Sequence, residues 1–312
     1  MHPVLFTFPL GRSEVSLHSY GLLIAAGLAI GIAVAHREGR RRGLDGGRSL
    51  DLAFWLTVSG LCGSRLAYGL VNARDFFHAC VDGGGPWWQD CTRVFRVWEG
   101  GLVFYGGVAV AAPVAFIFAK RQGWSFGEVG DLFAPALAIG HAFGRLGCFA
   151  AGCCFGKQTV SGWGVAFPRG SVAFDVLEAA GAIPAGAGET PPLHPTQLYE
   201  AAGELAIFVA LCALRPRLRR RPGLLLIVYL GLYAVLRFVV EIYRGDVLRG
   251  FPIAFDTPRL AGWLGLPPAE PIFLSAGQLG SLIAVAAVVV VLARWPKSTD
   301  LTDVSVRAPS SS

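Results

Sequence analysis

Between Gly140 and Lys157 the chain reads GHAFGRLGCFAAGCCFGK, placing a histidine, an arginine, three cysteines and five glycines at the end of an apolar stretch. Four chemistries are open to that set. Cys148, Cys153 and Cys154 with His141 offer four metal donors, though without the paired C-x-x-C spacing of a zinc ribbon. Cys153 or Cys154 could join a distant cysteine in a disulfide, or a thiol could serve as a transient covalent site. Alternatively, Arg145 and Lys157 flank a Gly-rich turn whose backbone N–H groups can approach an anion, which makes a phosphate site. Close helix packing explains Gly140 and Gly144 but neither Arg145 nor Lys157, so the phosphate reading accounts for more of the stretch.

Other charges stand where an apolar chain should not carry them. Arg65, Arg145, Arg237 and Glu241 fall inside apolar segments, and Asp131 lies near the start of another. A charge at the centre of a bilayer costs about 2.5–3.5 kcal/mol on insertion scales, so such residues face a partner or a cavity. Arg237 and Glu241 are four apart and share one helix face; Arg244 follows a turn later. Structural ion pairs explain any one of these residues. Arginines converging from several segments point to a visiting anion, and a phospholipid phosphate is the one most available there.

The elements that must position these residues are membrane helices. The chain is 54% hydrophobic and 15% charged, with a mean hydropathy of +0.53, against roughly 25% charged in soluble domains. Apolar stretches run approximately over 17–35, 50–71, 102–119, 129–151, 199–214, 224–242 and 274–293. The fold class is therefore an all-α integral membrane protein of about seven transmembrane helices with small cap segments in its outer loops. One polytopic membrane domain is expected over 1–296, with outer loops at about 74–100, 151–198 and 243–273, then a disordered inner tail over 297–312. The loops His36–Arg48 and Arg215–Arg221 carry five arginines each; the positive-inside rule puts both in the cytoplasm, the C-terminus with them and the N-terminus outside. These flanks explain the net charge of +6 and suit anionic lipid headgroups; nothing in them calls for nucleic acid. The first residues, MHPVLFTFPLGRSEVSLH, lack the basic start of a secretory signal. Cys80 and Cys91 fall in one outer loop and are candidates for a bridge.

Several segments, taken in order, resemble the prolipoprotein diacylglyceryl transferase family: YGLLIAAG at Tyr20, GSRLAYGLVN at Gly63, FRVWEGGLVFYGG at Phe95, DLFAPALAIG at Asp131, GRLGCFAAGCCFGK at Gly144, HPTQLYE at His194, LYAVLRFVVEIYRGD at Leu232 and SAGQLGSL at Ser275. They span nearly the whole chain. The resemblance implies transfer of the diacylglyceryl group of phosphatidylglycerol to the lipobox cysteine of a preprolipoprotein. A thioether forms and glycerol 1-phosphate leaves, with no metal or organic cofactor, at the periplasmic face of the bacterial inner membrane. It also implies that Arg145 contacts the phosphate and that Arg237 is a second essential arginine. Tyr20, Gly152 and Gly156 match family positions, Tyr233 lies one turn before Arg237, and Asp131, Glu241, Arg244 and Arg65 are the polar support. His194 opens a corner leading into the fifth span.

Two positions depart from the family pattern. Tyr105 stands in VFYGG where many members have a histidine that is a candidate base for the thiol, and Cys148 replaces an asparagine of the signature. A tyrosine with a pKa near 10 is a poorer base at neutral pH. Either Tyr105 assists by hydrogen bonding, or His141, one helical turn before Arg145, takes the role. A catalytically altered relative that only binds lipid and lipoprotein precursors is the alternative. A lipid or anion transporter would show pseudo-symmetric halves, which the sequence lacks.

Overall fold

The computed structural model describes residues 4–10, 13–82, 92–96, 101–159, 162–184, 186–245, 258–264, 266 and 275–295. Each of the seven apolar stretches forms a helix. These are α1 (Ser19–Arg41), α2 (Gly46–Val71), α4 (Phe104–Gln122), α5 (Phe126–Ala151), α7 (Thr196–Leu218), α8 (Leu224–Tyr243) and α10 (Ala276–Ala293). Shorter helices are α3 (Ala73–Asp82), α6 (Val172–Ala179) and α9 (Pro258–Trp263). All of the long helices except α2 are long and apolar enough to cross a membrane. Helix α2 has 26 residues but carries Arg48, Asp51 and Arg65, which dilute its apolarity. The chain is a multi-pass membrane protein with an all-helical membrane body.

One element was not foreseen. Strands β1 (Val4–Leu10) and β2 (Ser13–His18) form an antiparallel hairpin with Val4 opposite His18 and Leu10 opposite Ser13. The expected tail over 297–312 and Cys91 lie outside the described residues, as do parts of the three expected outer loops. Cys80 is disulfide-bonded.

Local signals set the helix ends. Asp45 caps α2 by accepting the Gly47 N–H at 2.9 Å. Ser125 and Glu128 bond each other's backbone N–H at the start of α5, and Ser275 and Gln278 do the same before α10, the reciprocal capping box. Helix α4 stops at Gly123, whose φ of 68° places it in the left-handed region.

The contacts divide into two units, one of residues 29–137 with 215–226 and another of 1–28, 138–214 and 227–312. In the first, α2 and α4 cross at glycines. A Cβ on Gly63 would fall on the Gly106 carbonyl and the Val110 side chain, and one on Gly106 would strike Ala67. Small residues allow backbones to approach in this way in lipid, where helix association rests on van der Waals packing. Leu52, Ala115, Ala119 and Val129 form the adjoining core. The two arginine-rich loops also meet in this unit. Buried Glu38 accepts from Arg42 and Arg215, each at 2.8 Å, and Arg219 donates to the Arg41 carbonyl. In the second unit, a core of Phe155, Phe167, Ala173 and Leu193 lies under the chain that follows α5.

Candidate active site

Three helix faces of the second unit build one charged cluster, each contributing residues one turn apart. Helix α5 brings His141 and Arg145, α7 brings Glu200 and Glu204, and α8 brings Tyr233, Arg237 and Glu241. Glu200 is fully buried between the arginines: Oε1 lies 2.9 Å from Arg145 Nη2, and Oε2 lies 3.5 Å from Arg237 Nη1. Arg237 Nη2 also meets Glu241 at 2.8 Å, the pair its spacing predicts. Glu241 in turn accepts the Ser275 hydroxyl at 3.0 Å. His141 Nδ1 stands 2.7 Å from buried Glu204, while His141 Nε2 accepts from Arg145 Nε at 3.2 Å. That pairing places the ring proton on Nδ1 and the basic lone pair on Nε2, beside the guanidinium. The Tyr233 ring lies 5.2 Å from the His141 ring.

Exposure divides the cluster by charge. Glu200 and Glu204 are sealed at 0%, whereas the side chains of Arg145, Arg237 and His141 keep 16%, 19% and 27% of their surface open. The carboxylates thus lie behind the guanidiniums and the imidazole and fix their orientation. An approaching anion meets guanidiniums already held in place, and each has five donors in a rigid fork suited to phosphate.

Glu200 and Glu204 are absent from the residues singled out by sequence, although both fall in the apolar stretch beginning at Tyr199. Two carboxylates four apart inside a span carry the same insertion cost as the arginines, and that is the signal that points to them.

The turn after α5 is built differently from an anion cradle. Gly152, at φ 73°, donates to Phe149 O, and Cys153 N donates to Cys148 O. This is a Schellman end, which closes the last carbonyls of the helix. The N–H of Gly156 goes to His194 O and that of Lys157 to Tyr243 O. These four N–H groups are taken by protein carbonyls and are not offered to an anion. Gly156 is needed for a different reason: a Cβ there would fall 2.5 Å from the His194 carbonyl oxygen and 2.7 Å from that of Tyr243. His194 is a buried corner, its Nδ1 3.1 Å from the Tyr199 hydroxyl and its ring 4.9 Å from that of Tyr243. Arg244 is buried and its backbone bridges to Gly156. The Tyr20 ring covers Gly147, where a Cβ would come within 3.2 Å of it.

Cys148, Cys153 and Cys154 converge on the same turn, their sulfurs within 4.8 Å of one another, and all three are free thiols. Hydrogen bonds from Cys148 and Cys153, with Arg244 and Arg145 nearby, hold the Cys154 thiol below the usual thiol range. Hydrogen bonding to Cys148 and Cys154, with burial, pushes the Cys153 thiol up.

Three of the sequence candidates belong to the first unit. Arg65 donates to the carbonyls of Gly101 and Arg96 at 2.9 and 3.0 Å and stacks over Tyr68. Asp131 accepts from the backbone N–H groups of Gly223 and Leu226 at 2.9 and 3.0 Å, which caps the start of α8. Tyr105, in the first turn of α4, is 81% exposed and meets Phe104 edge to face.

Comparison with known proteins assigns the arrangement to a family. A family model described as prolipoprotein diacylglyceryl transferase matches residues 3–294. The chain is 35% identical to the phosphatidylglycerol–prolipoprotein diacylglyceryl transferase of Xanthomonas euvesicatoria pv. vesicatoria over 269 residues, covering 83% of this chain and 86% of that protein. It is 34% identical to the Xanthomonas oryzae pv. oryzae protein of the same name over 267 residues, with the same coverage. A Clostridium perfringens protein named phosphatidylglycerol–prolipoprotein diacylglyceryl transferase 2 is 28% identical over 232 residues, 74% of this chain and 80% of its own.

Proposed function

The chain belongs to the prolipoprotein diacylglyceryl transferase family, and on that footing we propose that it transfers the diacylglyceryl group of phosphatidylglycerol to the lipobox cysteine of bacterial preprolipoproteins. The acceptor thiol gives up its proton, and its sulfur bonds the glycerol carbon that carries the phosphodiester. The carbon–oxygen bond breaks, and glycerol 1-phosphate leaves with the charge. One observation supports this most directly: Arg145 and Arg237, from helices distant in sequence, share the buried carboxylate of Glu200. Charge held in place before the reaction stabilises a departing phosphate without reorganisation.

The proton acceptor in this reading is His141. Glu204 holds its Nδ1–H, as an orienting carboxylate does for a catalytic imidazole, and Nε2, which accepts from Arg145 Nε, is free to take the thiol proton once that guanidinium turns to the phosphate. The thiol and the phosphate would then be handled at adjacent groups. A free thiol is already a few per cent ionised near neutrality, so a base of modest strength is enough. Tyr233 and Tyr20 line the approach, and Glu241 fixes Arg237. Gly152 and Gly156 shape the turn, with His194 and Arg244 packed against it, while Arg65 and Asp131 secure helix ends and loops. The reaction belongs to the periplasmic face of the inner membrane, with the N-terminus on that side.

Mass spectrometry tests the proposal. Detergent-purified protein is incubated with phosphatidylglycerol and a lipobox peptide, beside a peptide with serine at the acceptor position. A diacylglyceryl mass gain on the cysteine peptide alone is expected. No gain from protein shown to be folded and lipid-bound would overturn the transferase reading and leave a precursor-binding scaffold.

A further inference from the structure

We propose that Cys148, Cys153 and Cys154 form a three-thiolate site for a single soft d10 metal ion, of the class of zinc, cadmium or copper(I). Three sulfurs bound to one such ion at about 2.3 Å stand roughly 3.8–4.0 Å apart. The three thiols already lie within 4.8 Å of one another, a spacing within about 1 Å of the one such an ion requires. Thiolate ligands select soft ions over magnesium or calcium.

The backbone that presents them is fixed from two directions. Cys148 sits in the last turn of α5, whose Schellman end ties Cys153 N to Cys148 O. Cys154 occupies the left-handed region at φ 59°, a conformation that a non-glycine residue adopts only when its surroundings hold it there. Its carbonyl accepts from Thr196 Oγ1 at 2.8 Å, and that of Cys153 from Gln197 Nε2 at 2.6 Å. Both donors belong to fully buried side chains at the start of α7. The lipid-transfer reading uses this turn but none of the three sulfurs it carries. A disulfide would satisfy only two of the thiols.

Binding balances in charge and protons. As the three thiols bind a divalent ion they release three protons to solvent, and the resulting complex carries one negative charge, or two with a monovalent ion.

The test uses full-length protein in detergent with the Cys80 disulfide intact, and with Cys62→Ser and Cys212→Ser in the background. Cadmium chloride is titrated while the ultraviolet thiolate-to-cadmium band is followed. One ion per chain is expected, and each of Cys148→Ser, Cys153→Ser and Cys154→Ser should weaken binding at least tenfold in chains that elute as single species with unchanged helicity. A second arm needs no substitution at the site: cadmium should protect the peptides carrying these three cysteines from N-ethylmaleimide, as mapped by mass spectrometry. No band, a band indifferent to the three substitutions, or alkylation unchanged by cadmium would each overturn the proposal. So would an oxidised pair among the three in protein purified without reductant and untouched by cadmium, which would make the trio a redox site. None of these outcomes depends on transferase activity.

Discussion

Glu200 joins the two arginines, and its removal separates orientation from charge. With Ala in its place, the half-buried Arg145 and Arg237 lose their shared carboxylate, and Arg237 keeps only Glu241; breaking a fully buried pair costs about 3–5 kcal/mol, an upper bound here. Glu200→Gln keeps the shape and removes the charge. It should lower kcat by about 10²–10³-fold, the scale of losing preorganised transition-state stabilisation, with KM for phosphatidylglycerol less affected. A variant turning over normally would show that the arginines need no such anchor. His141 and Glu204 act as one unit in the proposed reaction, so Glu204→Gln should lower kcat in the parent chain and add little in a His141→Gln background, a coupling a double-mutant cycle measures. Tyr105→Phe should leave the rate within a few-fold; a loss as deep as that of His141→Gln would move the base to Tyr105. At this scale the sequence was partly legible. Arg237 and Glu241 announce their pairing through a spacing of four, and Arg145 through its place beside the glycine turn. Glu200 and Glu204 have the same spacing inside an apolar stretch, but their partners lie on other helices, and a periodicity within one segment does not name a partner across space.

Helix α2 is held to α4 by the absence of side chains rather than by their presence. Gly63→Ala and Gly106→Ala each put a methyl group where the opposing backbone or Ala67 stands. Overpacking of this kind costs about 1–3 kcal/mol, so each variant should unfold at a lower temperature in detergent, while Gly60→Ala, where nothing lies within 4 Å, should not. Asp131 works at the same scale. It closes the first N–H groups of α8, and loss of a cap costs about 0.5–2 kcal/mol; Asp131→Asn, which still accepts hydrogen bonds, should be milder than Asp131→Ala in the same melt. The existence of the seven long helices could be read from apolarity alone, because a bilayer demands it. Their ends could not: α1 continues past Ala35 through charged residues to Arg41, since a helix outlasts the apolar run that drives its insertion. The hairpin at residues 4–18 escaped for a different reason. Two short strands carry a period of two over a few residues, a weak signal beside spans read by hydropathy.

For the whole molecule, orientation rests on two loops that the sequence separates by well over a hundred residues. Arg37–Arg48 and Arg215–Arg221 hold ten arginines between them, and the structure brings them together: Glu38 bonds both Arg42 and Arg215, and Arg219 reaches the Arg41 carbonyl. Their mutual repulsion is relieved by a buried carboxylate instead of by distance, so the loops form one basic surface on one side of the membrane. On the positive-inside rule we propose that this surface faces the cytoplasm, with the C-terminus on the same side. A green fluorescent protein fusion at the C-terminus should therefore fluoresce, and an alkaline phosphatase fusion at the same point should be inactive. A phosphatase fusion after Arg74 should be active. The opposite pattern would invert the proposed topology. Replacing Arg37, Arg40, Arg217 and Arg220 together by Gln, while keeping Arg42, Arg215 and Arg219 in their bonds, should weaken the orientation signal without dismantling the loop contact. Mixed fusion activities in a chain that still melts normally would show that topology depends on the charge of this surface and not on the contact between its loops.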